Sequence, residues 1–156
     1  MEGDPLIEAR VQAEDFDVSA EIARLTAGRA DIGAVVTFTG LVRDRAGDAP
    51  VSAMSLEHYP GMTEAALRGI AEAAAARWPL QGALVVHRFG DLRPADRIVL
   101  AAAASPHRQA AFEAAAFMMD FLKTQAPFWK KETTPDGARW VDARDADDAA
   151  AARWKD

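Results

Sequence analysis

Cysteine is absent from the 156 residues. That excludes a disulfide scaffold, an iron–sulfur cluster, a thiolate zinc site and any mechanism using a thiol of the chain itself. Histidine is scarce: His58, His87 and His107 are the three present. A histidine-rich metal centre is therefore not expected, and neither is a cofactor. Long apolar runs are missing too. The longest are alanine-rich and are broken by charges well before the ~20 residues that a bilayer-spanning helix needs. The N-terminal Met-Glu-Gly-Asp-Pro is acidic and lacks the apolar stretch of a secretory signal, so a cytoplasmic protein is expected. Positive charge is the minority sign, with 18 Lys+Arg against 24 Asp+Glu and a net charge of −6. Such a chain is a poor general binder of nucleic acid or of an anionic membrane.

What is present reads as one globular domain over residues 1–156: 50% of the residues are hydrophobic and 27% charged. Leu6 to Val11 reads as a strand, and Asp17 caps a helix running to about Leu25. Gly33 to Val42 is rich in β-branched residues and reads as a strand. Arg43 to Pro50 reads as an exposed loop, and Ser52 to His58 as a strand paired with the previous one. Thr63-Glu64 opens a helix that Pro79 stops. Ala83 to Phe89 is a strand, Gly90 to Pro94 a turn and Ile98 to Ala104 a strand. Ser105-Pro106 reads as a hydroxyl cap and first-turn proline of a third helix ending near Gln125. Two short strands, Phe128 to Thr133 and Arg139 to Val141, flank Pro135-Asp136-Gly137. An alanine-rich tail helix, Asp145 to Trp154, docks through Trp154. Hairpins alternating with single helices predict an α+β fold, a mixed or antiparallel sheet with helices packed against it.

The third helix carries a narrow polar stripe, Gln109, Glu113, Asp120 and Lys123, and is otherwise apolar. It must be covered on more than one side, by its own sheet or by a second subunit as well. Its start places His107 and Arg108 where the helix dipole already carries positive charge. Either an acid such as Asp91 or Asp96 or an anionic ligand compensates them. At its other end, Lys123 either satisfies the helix C-terminus or serves a site. Lys130 and Lys131 follow two aromatics and point to opposite faces of a strand. A lysine held in a pocket near other cations can act as a general base or nucleophile, whereas a surface lysine only solvates an edge. Gly40 inside a strand suggests a bulge or a close backbone approach. Arg43 stands where that strand enters its loop, a place for a ligand-binding cation or for a solvated arginine.

Five stretches carry a resemblance: G-A-V-V-T-F-T-G-L-V-R (33–43), L-E-H-Y-P-G-M-T (56–63), H-R-F-G-D-L (87–92), S-P-H-R-Q-A-A-F-E-A (105–114) and M-D-F-L-K-T-Q-A-P-F-W-K-K-E (119–132). Together they resemble the large, catalytic subunit of molybdopterin synthase from Gly33 to Trp154; before about residue 30 the match is weak. Pro106 departs from the small residue usual there. The resemblance implies an α/β-hammerhead-like domain. It implies sulfur transfer from the C-terminal thiocarboxylate of a small ubiquitin-like subunit to cyclic pyranopterin monophosphate, forming the dithiolene of molybdopterin. It also implies a homodimer of this chain at the centre of a heterotetramer. Lys123 and Lys130 match the two lysines with catalytic roles; Arg43, His107 and Arg108 match the substrate anion pocket, to which Lys131 adds a further cation. A chain without cysteine suits this chemistry, because its sulfur must arrive already activated. Three other readings stay open: a non-catalytic docking module for a ubiquitin-like tail, a phosphate-ester enzyme built on Ser105–Arg108, and a structural dimer.

Overall fold

In the computed structural model, which describes residues 4–141 and 145–154, the chain alternates strands and helices. The first half comprises β1 (Leu6–Gln12), α1 (Val18–Thr26), β2 (Ala34–Leu41), β3 (Arg45–Ala46), β4 (Ala49–Pro50), β5 (Ala53–His58) and α2 (Met62–Arg77). The second comprises β6 (Gly82–Arg88), β7 (Gly90–Leu92), β8 (Arg97–Ser105), α3 (Arg108–Gln125), β9 (Phe128–Thr134), β10 (Gly137–Val141) and α4 (Asp145–Ala152). The α+β class expected from the sequence is the class observed.

The strands form two four-stranded sheets rather than one, in the orders β1-β6-β8-β2 and β10-β9-β5-β7, plus the two-residue ribbon β3-β4. Among the described residues only β1 and β6 pair in parallel. The expected pairing of β5 with β2 does not occur: β5 joins β9 and β7, while β2 pairs with β8. The excursion at 43–52 carries the chain out of the first sheet, so the neighbour of β5 comes from far along the sequence. Gly90 to Leu92, read as a turn, is the edge strand β7. The bulge suggested by Gly40 is present, as a register shift between Gly40 and Leu41.

Alternation along β6 and β8 builds two cores. Ala83, Val85, Val99, Ala101 and Ala103 face α2 and α3, meeting Leu67, Ile70, Ala114, Phe117, Met118 and Leu122. Leu84, Val86, Leu100 and Ala102 face α1 through Phe16 and Leu25. The small side chains of Ala101 and Ala103 let α3, itself rich in alanine at this contact, lie close to the sheet. α1 is capped as expected, with the Ala20 amide donating to Asp17 Oδ1 at 3.0 Å. α3 starts two residues later than expected, with His107 at its N-cap and no side-chain cap. Ser105 ends β8 instead, donating to the Pro79 carbonyl at 2.8 Å and accepting from the His107 amide at 3.2 Å.

Much of the polar stripe on α3 is occupied. Glu113 accepts from Trp78 Nε1 at 2.9 Å and from Gln109 at 3.0 Å. Asp120 accepts from Trp154 Nε1 at 2.6 Å and pairs with Arg153. Trp154 docks as expected, packing edge-on against Trp78 and Phe117. Lys123 continues the stripe beyond this packing, at the C-terminal end of the helix.

Candidate active site

A cleft of about 310 Å³ opens where β2, the end of α3 and the inner face of the second sheet meet. Four cations line it, Arg43, Arg45, Lys123 and Lys130, together with one carboxylate, Glu132, over an apolar floor of Leu41, Met54 and Ile98. Four positive groups against one negative give a formal charge of +3, in a chain whose total is −6. Such a concave cationic site focuses its field on an anion that the remaining surface repels.

Three of the four cations are placed by identifiable local structure. Arg43 follows Val42, a buried residue whose amide donates to the Asp96 carbonyl and whose carbonyl accepts from the Ala95 amide. The exit of β2 is thereby pinned. Lys123 occupies the last turn of α3, which ends before Pro127 because proline cannot continue the helix. The Thr63 hydroxyl at the start of α2 donates to the Pro127 carbonyl at 3.1 Å and accepts from the Tyr59 amide at 3.1 Å, tying the α3–β9 corner to α2. Lys130 and Glu132 share one face of β9, opposite Leu56 and Met54 of β5. Glu132 is buried at 4% exposure.

Other residues expected at the site lie elsewhere. Lys131 is on the opposite face of β9, its Nζ 5.6 Å from the centre of the Trp140 ring, in a separate groove with Glu57 and Asp91. His107 and Arg108 stand exposed at the start of α3. Fifteen helical residues separate Arg108 from Lys123, a rise of roughly 22 Å. Within one chain the two ends of α3 therefore do not converge. Neither acid considered as compensation for His107 and Arg108 is beside them: Asp96 precedes β8 at its far end, and Asp91 lies on β7.

Three groups at or near the cleft escaped the sequence reading. Arg45 falls in the stretch 43–50, which the sequence marks only as an exposed loop. Glu132 carries one signal in the sequence, its strand parity with Lys130. His87 is buried on β6 beside the site. Burial pushes its pKa down to about 4, and the nearby Lys123 and His58 charges add to this against the hydrogen bond to the Arg88 carbonyl. The imidazole is therefore neutral at physiological pH. Among the described residues no group of three or more His, Asp or Glu side chains could hold a metal ion, and no helix is long and apolar enough to cross a membrane.

A family model described as MoaE protein matches residues 11–125, about three-quarters of the chain. The chain belongs to the MoaE family. A molybdopterin synthase catalytic subunit from Mesorhizobium japonicum is 61% identical over 148 residues, 94% of this chain and 92% of the relative. The solved structure of the molybdopterin biosynthesis MoaE protein from Burkholderia ambifaria matches with a TM-score of 0.82 and 56% identity, covering 96% of this chain and 98% of that one. The molybdopterin synthase structure from Staphylococcus aureus matches at a TM-score of 0.77 and 33% identity, covering 85% and 95%. The MoaE match contains Arg43, His107, Arg108 and Lys123 and stops short of β9 with Lys130 and Lys131.

Proposed function

We propose that this chain is the catalytic subunit of a molybdopterin synthase. It transfers sulfur from the C-terminal thiocarboxylate of a small ubiquitin-like subunit to cyclic pyranopterin monophosphate, forming the dithiolene of molybdopterin. The observation that carries this reading is the cleft itself, four cations gathered on an acidic protein that has no thiol of its own. Both reactants are anions, a tail ending in a thiocarboxylate and a pterin bearing a phosphate. Bringing them together in water costs Coulombic repulsion, which Arg43, Lys123 and Lys130 offset.

Lys123 lies beside the incoming thiocarboxylate, and Lys130 serves proton transfer at the pterin. In each transfer a pterin side-chain carbon exchanges a C–O bond for a C–S bond, its oxygen leaving with the phosphate as the cyclic ester opens or as water. Water then cleaves the tail's acyl C–S bond, so the sulfur stays with the pterin and the tail leaves as a carboxylate. Two sulfurs per product consume two tails. Lys131, on the outer face, draws the anionic tail toward the cleft without entering it. The domain that does this spans residues 1–156 and works in the cytoplasm.

His107 and Arg108 act on the site of a second copy. β2 is an edge strand of its sheet, with Phe38 and Leu41 on it and Phe112 of α3 all exposed. Its first residue, Ala34, is opposite Ser105 at the approach to α3, and its far end leads to Arg43. Two copies meeting antiparallel along β2 about a two-fold axis set His107 and Arg108 of each beside the Arg43 end of the other. The uncapped start of α3 then brings its own free amides to the pterin phosphate. This homodimer forms the centre of a heterotetramer with two small subunits.

The test is molybdopterin formation from thiocarboxylated small subunit and pterin. Lys123→Ala and Lys130→Ala should each reduce the single-turnover rate by at least about 100-fold, the scale of general acid–base catalysis. Lys123→Ala, at an exposed position, should change stability by less than about 0.5 kcal/mol, and both variants should remain folded. Folded alanine variants with wild-type rates would overturn the assignment.

A further inference from the structure

The side chains that β6 turns toward α2 and α3 run Ala83, Val85, His87, and the partners of His87 on the neighbouring strands are Val11 and Val99. A histidine ends an apolar row on a central strand, at 5% exposure, where a valine would pack. Its Nδ1 is 2.8 Å from the Arg88 carbonyl oxygen. As a neutral ring it donates there and leaves Nε2 unprotonated. That bond alone describes a satisfied core histidine.

Two further observations go beyond packing. The imidazole stacks on Phe128 with centroids 3.8 Å apart and planes inclined by 23°. Lys123 and His58 are charged groups that act on it. Phe128 opens β9, two residues before Lys130 and five after Lys123. The His58 ring approaches the same phenylalanine from β5 at 6.4 Å, and Thr63 holds the preceding carbonyl. The corner at which the chain leaves one lysine and reaches the other therefore rests on the central sheet through the stacked imidazole together with the apolar packing of Ala126 and Phe128.

We propose that His87 is the positioning residue of the lysine site: by gripping Phe128 from β6, with its own ring anchored on the Arg88 carbonyl, it sets Lys123 against Lys130. The proposal rests on the reading of those lysines as the sulfur-transfer groups. Imidazole suits the task better than phenyl because the Nδ1 bond fixes the ring's rotation. It suits it better than lysine or arginine because it adds no charge beside Lys123.

Three variants separate positioning from packing. His87→Ala removes stack and anchor, His87→Phe keeps the stack, and Phe128→Ala removes the stack from the other side should His87→Ala fail to fold. With saturating thiocarboxylated small subunit and pterin, His87→Ala and Phe128→Ala should lose about tenfold or more in single-turnover rate, the cost of a modest misplacement. Small-subunit affinity should stay within about twofold and His87→Phe should recover to within about threefold of wild type. A purely structural histidine would lower the melting temperature and leave the rate unchanged, and that result overturns the proposal.

A second readout needs no turnover. In NMR spectra of ¹³C-methylated lysines, the Lys123 and Lys130 signals should move in His87→Ala and return in His87→Phe, while Lys131 across the strand stays. Unmoved Lys123 and Lys130 signals also overturn it. If the wild-type protein itself makes no molybdopterin, the functional reading fails, and the lysine signals still decide the role of His87.

Discussion

Lys130 and Lys131 are adjacent in sequence, yet β9 turns one into the cleft and lays the other across Trp140. Strand parity made that split legible from the sequence alone, but not which lysine faces inward. The answer depends on the register of β9 with β5, which sets Lys130 opposite Leu56. The two residues should therefore respond differently. Lys131→Ala should lose under about fivefold in single-turnover rate where Lys130→Ala loses about 100-fold or more. Its effect should appear mainly as slower association with the small subunit at low salt, fading as salt screens the charge. Equal losses for the two alanine variants in rapid-quench measurements would contradict this division. Glu132 and His87 were not legible as site residues. Glu132 offers only its strand parity with Lys130, which by itself names no site, and a lone histidine in an apolar row carries no local signature until the tertiary fold sets it beside the lysines.

At the scale of elements, periodicity and punctuation identified all four helices, because Asp17, Pro79 and Pro127 act on their own neighbours in sequence. Strand pairing was harder. Nothing local in 52–58 tells β5 to leave β2 for β9, since that pairing joins residues about 75 apart. The start of α3 was misread by two residues because Ser105 spends its hydroxyl on Pro79 and His107, at the end of a strand.

The central strand β6 carries a measurable consequence. Its His87 is held neutral by burial, with a pKa of about 4 against a usual 6.5. The unfolded chain takes up a proton below pH 6.5 that the folded chain refuses until about pH 4. Stability from this group is complete above pH 6.5 and is lost progressively toward pH 4. The gap corresponds to roughly 3 kcal/mol. His87→Phe should remove that part of the slope in urea denaturation series between pH 6.5 and 4. Parallel wild-type and variant slopes would show that His87 does not carry it.

For the whole molecule, the separation of two groups of cations is the fact that most constrains function. Arg43, Lys123 and Lys130 gather at one end of α3, and His107 and Arg108 stand at the other, roughly 22 Å along the helix. The sequence marked both groups as anion-binding candidates; it held no measure of the distance between them. One chain cannot bring them to one substrate, and two chains related by a two-fold axis can. The most direct measurement is complementation between Lys123→Ala and Arg108→Ala, each expected to lose most of its activity alone at subsaturating pterin, after mixing and reassociation with thiocarboxylated small subunit and pterin. If each site takes its lysines from one copy and its Arg108 from the other, half the dimers are mixed and each mixed dimer holds one intact site, so about a quarter of wild-type activity returns. If mixed dimers form and no activity returns, the composite site is contradicted.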